Sequence, residues 1–256
     1  WAYGDDAVRV EAACHWLAEG LRLWQRAMYV GEGTVPELTA ELAGLEGRDA
    51  ALADGRLAVV SSADLYDLSA PIDPVAQLAV YDGAVAQAIA DGYRGVRVVA
   101  DITPLVADAG RRAAHVHWEQ YADRYMTGRP LAPLCMYDTR RIERLDAVTA
   151  AHPLSGPEPR PFGLFATGPS TACCDGEIDA TVSDVFDELL RTLPAGDTEL
   201  DLRGLTFVDG RAAATLHGAL VRRRDDGRAL RVVGANALVR RVWGLCDFDA
   251  ELLSPG

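Results

Sequence analysis

The sequence predicts an α/β protein of two domains, and three observations carry that prediction. Strands and helices alternate regularly from Asp5 to Ala151, a proline-rich break follows at 152–161, and a shorter alternation runs to the end. Parallel strands need crossover connections, so the first stretch implies a mostly parallel sheet flanked by helices on both faces. The last stretch implies a small mixed α/β domain. At 256 residues the chain is long enough for two domains that each bury a core.

Taken in order, Asp5-Asp6 caps a helix whose apolar positions Val8, Ala12, Trp16 and Leu17 recur at helical spacing, with Gly20 breaking the run. Residues Arg26 to Gly31 read as a buried strand, Thr34-Val-Pro-Glu as a capped helix start, and Leu57 to Ser62 as a further strand. From Asp73 to Gly92, Val75, Leu78, Ala79, Val85, Ala86 and Ile89 are expected to form the inward face of a helix. Strands follow over Gly95–Asp101 and Leu131–Asp138, and helices over Arg111–Met126 and Arg140–Ala151. Four prolines in 152–161 bar both a helix and an inner strand. We therefore divide the chain into a first domain over 1–153, a linker over 154–161 and a second domain over 162–256. In the second domain strands are expected at Phe162–Ala166, Ser170–Cys174, Glu199–Asp201 and Ala229–Gly234. Its helices are placed at Asp179–Leu193, about Gly210–Arg224 and Ala237–Leu245.

Composition excludes several functions. All 25 basic residues are Arg, a usage that with abundant Ala, Gly and Asp suits a high-GC bacterial genome. Without Lys, neither a Gly-Lys-Ser/Thr phosphate loop nor a Schiff-base enzyme is available. The net charge of −13 is shared by both parts, with 14 Arg against 23 acids over 1–159 and 11 against 15 over 160–256. Such a surface repels nucleic acid and anionic membranes. No apolar run approaches the roughly 20 residues that cross a bilayer, and Trp1 is followed by no basic-then-apolar leader, so the cytoplasm is the expected location. The five cysteines lack Cys-x-x-Cys spacing and read as buried reduced thiols, with Cys173 and Cys174 pointing to opposite faces of a strand. No Gly-x-Ser-x-Gly elbow or placed Cys–His pair marks a hydrolase.

Several motifs fall in an order that resembles a known module. Gly176-Glu-Ile-Asp-Ala-Thr, Glu199-Leu-Asp-Leu-Arg-Gly-Leu-Thr-Phe-Val-Asp209, Leu230-Arg-Val-Val-Gly and Val239-Arg-Arg-Val-Trp-Gly-Leu resemble a STAS domain, as in anti-sigma factor antagonists. The resemblance implies a protein-interaction role: the loop ending in Asp209 and the helix after it would dock onto an anti-sigma factor or sensor kinase. In antagonists the kinase phosphorylates a Ser or Thr just after that Asp. Here Gly210 and Arg211 carry no hydroxyl and Thr215 lies a turn further on, so Phe207, Asp209, Gly210 and Arg211 are expected to form a fixed docking surface. The first domain resembles the MEDS domain, a sensory domain derived from the KaiC/RecA type of ATPase. That likeness rests on Trp1-Ala-Tyr-Gly-Asp-Asp, Ala90 to Asp101, Trp118-Glu-Gln-Tyr, Leu134-Cys-Met-Tyr-Asp138 and His152-Pro. It implies a RecA/KaiC-like sheet and sensing of a small molecule, with no cofactor and no turnover.

In open parallel sheets ligands bind outside the carboxyl ends of the strands. Those ends place Glu32, Ser61, Asp64, Asp101, Tyr137 and Asp138 on one rim above Cys135. Tyr3 and Glu119, from the motifs above, complete the candidate ligand set. The same acids also suit plainer roles, Asp64 and Asp138 as helix caps and Asp101 as a turn former. His115 and His117, two apart on a helix, do not share a face and are not read as metal ligands, and Glu119 is expected to pair with a neighbouring Arg. Arg222, Arg223, Arg224 and Arg228 form a basic cluster broken by Asp225 and Asp226, read as a solvated helix end. The alternative function is a nucleotide- or metal-binding enzyme built on Glu32, Asp101 and Asp138.

Overall fold

The structure, a computed structural model, describes residues 1–156 and 159–253. Two compact units divide it: residues Trp1–Trp118 with Gly128–Leu145, and residues Glu119–Thr127 with Asp146–Gly256.

The first unit holds an all-parallel sheet of five strands. Its elements run β1 (Ala2–Tyr3), α1 (Asp6–Arg22), β2 (Arg26–Gly31), α2 (Val35–Glu41), α3 (Arg48–Ala53), β3 (Leu57–Ser61), α4 (Ser62–Leu65), α5 (Pro74–Ala90), β4 (Val96–Asp101), the start of α6 (Ala109–Met126), and β5 (Leu131–Asp138). The strand order is β1-β5-β4-β2-β3. All six residues of central β4 are buried, Arg97 included. That guanidinium stacks 4.4 Å over the Trp16 ring and donates to Gln25. Asp5 caps α1 as expected and Thr34 with Glu37 forms a capping box on α2. One face of the sheet packs Ala27, Tyr29, Val99 and Met136 against Leu17 of α1 and Leu38 of α2.

Two expectations are corrected here. Helix α5 has the expected span and Asp73 cap, but it turns Gln77, Tyr81, Val85 and Ala88 inward and leaves Val75, Ala79, Ala86 and Ile89 exposed. Nearly every face of this helix is apolar, so periodicity cannot choose between them. Tyr81 decides the matter through its hydroxyl contact with Tyr66 and its stack on Trp118. The helix expected over Arg140–Ala151 is only α7 (Leu145–Thr149). Its first residues are held in a turn, because Asp138 accepts both the backbone N–H and the guanidinium of Arg140. Smaller differences are that α1 runs through Gly20 to Arg22, and that the sequence reading missed β1, α3 and α4.

The second unit continues with β6 (Phe162–Gly168), β7 (Thr171–Ile178), α8 (Ser183–Arg191), β8 (Thr198–Val208), α9 (Gly210–Asp225), β9 (Leu230–Val233) and α10 (Ala237–Leu245). Its sheet has the order β6-β7-β8-β9, antiparallel between β6 and β7 and parallel beyond. Strand β7 outlasts its expected end at Cys174 because Gly176 adopts φ +86, where a Cβ would lie 2.4 Å from the Pro161 carbonyl oxygen. Register shifts in the β7–β8 ladder let β8 run eleven residues, well past Asp201. Cys174 is buried and Cys173 half-buried, and all five cysteines are free. The open edge of β6 is closed inside this unit by α6, since Gln120 donates to the Leu164 carbonyl and the Asp123 carboxylate accepts the Ala166 N–H. The Leu164 N–H is taken by the carbonyl of Ala150.

Candidate functional site

In the first unit the carboxyl ends of β1, β4 and β5 gather part of the expected rim. Tyr3 donates to Asp101 at 2.7 Å, the other Asp101 oxygen accepts the Thr103 N–H, and the Thr103 hydroxyl accepts the Asp138 N–H. Burial and the adjacent Asp101 push the Tyr3 hydroxyl well above its ordinary pKa, so it remains a donor. Arg140 grips Asp138 through two nitrogens and reaches Asp6 at 2.9 Å, while Arg141 donates to Glu32 at 2.6 Å. The bonded Arg140 holds both Asp138 and Asp6 below the usual carboxylate range. Each acid of the proposed catalytic set is thus already engaged.

Asp64 is exposed on α4, after edge strand β3. Tyr137 is fully buried with its hydroxyl 3.1 Å from His115, whereas His117 is exposed, so the two histidines indeed face apart. Cys135 sits within β5, its carbonyl accepting from the amino group of Trp1. Glu119 belongs to the second unit, 3.6 Å from His152.

Beside the rim, sequence reasoning missed a groove of about 590 Å³ lined by Asp6, Arg9, Glu11, Cys14 and Glu41. Its wall is a partly buried polar knot in which Arg9 and Tyr29 both donate to Glu41, at 3.1 and 2.7 Å. Asp6 lies on this wall and also bonds Arg140, which ties the groove to the rim. The sequence held one clue, an Arg on the apolar side of an amphipathic helix.

In the second unit, Asp209 caps α9 by accepting the Ala212 N–H at 2.8 Å. Gly210 and Arg211 are exposed just beyond it, and Phe207 is 41% exposed. A Cβ on Gly210 would lie 3.8 Å from the Cys246 sulfur, so the end of α10, with Leu245 78% exposed, borders the same surface. The sequence did not single out Cys246, which the fold brings beside Gly210.

Residues 1–153 match the family model described as MEDS, the methanogen/methylotroph DcmR sensory domain. Residues 174–254 match the model described as Mlab, STAS domain. Comparison with the curated proteins finds no match.

Proposed function

The chain belongs to the MEDS family through residues 1–153 and carries a STAS domain behind it, and on that premise we propose that it is a cytoplasmic bacterial signalling protein. The MEDS domain binds a small molecule at the rim and groove of its sheet. The STAS domain passes the bound state to a protein partner, an anti-sigma factor or a sensor kinase. The observation that carries the reading is the surface at the start of α9. There an exposed Phe207 precedes a Gly210-Arg211 pair that offers no hydroxyl for phosphorylation, and the end of α10 lies beside Gly210. An apolar anchor beside an exposed Arg is a common composition for a protein-binding centre.

Catalysis is the weaker reading. Asp101 and Asp138 accept on both oxygens, from Tyr3 and Thr103 and from Arg140, and Glu32 accepts from Arg141. A general base needs a free lone pair within reach of its substrate. Calorimetric titration with ATP, GTP and Mg²⁺ tests the choice: the sensor reading expects no heat of binding, and saturable nucleotide binding would overturn it. A thermal-shift screen of small metabolites tests sensing, because a ligand at a hundred times its dissociation constant stabilises by about 2.7 kcal/mol.

A further inference from the structure

Arg9, on the wall of the groove, uses only one end of its guanidinium. The side chain is 10% exposed, and Nη1 makes both of its hydrogen bonds, to Tyr29 and to Glu41. Nε and Nη2 donate to no group among the described residues: the Asp6 carboxylate stays 3.9 Å from Nε and is bonded to Arg140 instead. That free edge presents two parallel N–H donors, the geometry that matches a carboxylate. A cation so largely buried, with donors unused, favours a ligand that supplies acceptors. Acceptors beside it are unused as well. Glu41 receives Arg9 and Tyr29 on Oε2 alone, and its Oε1 accepts nothing among the described residues. Glu11 is exposed on the same groove and has no partner among the described residues either. Ala7, Val10 and Cys14, at helical spacing, form an apolar strip of α1 along the groove.

We propose that the groove holds a small zwitterion, an α-amino acid with an apolar side chain. Its carboxylate takes the free edge of Arg9, its ammonium lies between Glu41 Oε1 and Glu11, and its side chain runs along Ala7, Val10 and Cys14. The assignment rests on the sensing function proposed above and names the ligand of that site. The charges of the groove disfavour simpler classes. A carboxylate or phosphate without a cation would meet one Arg but three acids, Asp6, Glu11 and Glu41. An amine without an anion would suit the acids and leave the Arg9 donors unpaired. A zwitterion answers both and brings no net charge. The volume of about 590 Å³ admits any common amino acid. Arg9 also lies over the Tyr3 ring, 5.8 Å from its centroid, and Tyr3 donates to Asp101, so ligation of Arg9 reaches the rim.

Calorimetric titration of the full chain with L-alanine, L-valine, L-leucine, L-isoleucine and L-methionine tests this. At least one is expected to bind saturably. Its carboxylate-only and ammonium-only counterparts, isocaproate and isoamylamine in the case of leucine, bind at least about tenfold more weakly. Glu11→Gln, at an exposed position, raises the dissociation constant of the bound amino acid about tenfold. Gly44→Trp, where a Cβ would meet nothing within 4 Å, fills the groove and abolishes binding. Both variants keep the wild-type circular dichroism. Arg9→Lys keeps the charge, loses the two-donor edge and weakens binding at least as much as Glu11→Gln; if that chain fails to fold, the other two variants decide. No saturable binding of any of the five up to about 10 mM overturns the proposal. If the metabolite screen then finds a ligand of another class, the sensing function stands without it; if neither finds a ligand, both fall. Binding that Glu11→Gln and Gly44→Trp leave intact, or that isocaproate or isoamylamine matches, also overturns the proposal.

Discussion

Replacing Asp123 by Asn changes one buried charge while keeping an oxygen for the Ala166 N–H, which Asp123 accepts at 2.6 Å. The residue is 9% exposed on α6. Burial pushes its carboxyl up to about 7, the Ala166 bond and Arg124 act in the opposite direction, and Glu119 adds to the rise. In the unfolded chain the same group titrates near pH 3.9. A folded pKa above the unfolded one means that the stability tied to this group is fully present below about pH 4. It is lost as the pH climbs toward 7. At about 1.4 kcal/mol per unit, the ionised carboxylate costs the second unit on the order of 4 kcal/mol at pH 8 relative to acid. The assay is urea unfolding of the wild type and Asp123→Asn at a series of pH values, followed by circular dichroism. We expect the two to coincide near pH 4 and the variant to be the more stable by several kcal/mol at pH 8. A difference independent of pH, or a variant less stable at pH 8, refutes the reasoning.

Further outcomes follow from the same contacts. Arg140→Gln removes the cation that depresses Asp138 and Asp6. Because Arg140 is half exposed, the loss at pH 7 is modest; it shrinks as the pH falls below the carboxylate range in thermal melts, the depressed pKa values making this stability present only above it. Asp209→Ala strips the cap from α9 and costs about 1 kcal/mol as well as partner affinity. Arg211→Glu, at an exposed position, leaves the melting temperature within error and weakens capture of the proposed protein partner in a binding titration. Gly95→Ala prevents folding of the first unit, as circular dichroism will show. Gly95 sits at φ +149, and a Cβ there would lie 2.2 Å from the Pro130 carbonyl oxygen.

Strands β2 to β5 of the first sheet were legible because each is a short apolar run ended by Gly, Ser or Asp, and β2 and β5 fall on their expected residues, whereas the two-residue β1 carries no such pattern. The facing of α5 was not legible, since its apolar residues surround the helix and only the contacts of Tyr81 with Tyr66 and Trp118 select a side. At the candidate site the acids were legible from their position after strands. Their partners were not: Arg140 and Arg141 were assigned to a helix, and the turn that brings them back depends on Asp138 across two residues and on Glu32 across more than a hundred. Arg9 was hidden for a similar reason, because its partners Tyr29 and Glu41 are distant in sequence.

The closure of the β6 edge bears on how such proteins are cut and recombined. A STAS fragment starting at Phe162 leaves behind Gln120, Asp123 and Ala150, and with them the groups that satisfy Leu164 and Ala166. Its first strand would then present a bare backbone edge, a template for aggregation. The missing pieces cannot be added without also taking β5, which belongs to the other sheet. The gene segment that encodes the STAS motif is therefore shorter than the folding unit, and exchange of that segment between proteins requires the recipient to supply a new guard for the strand.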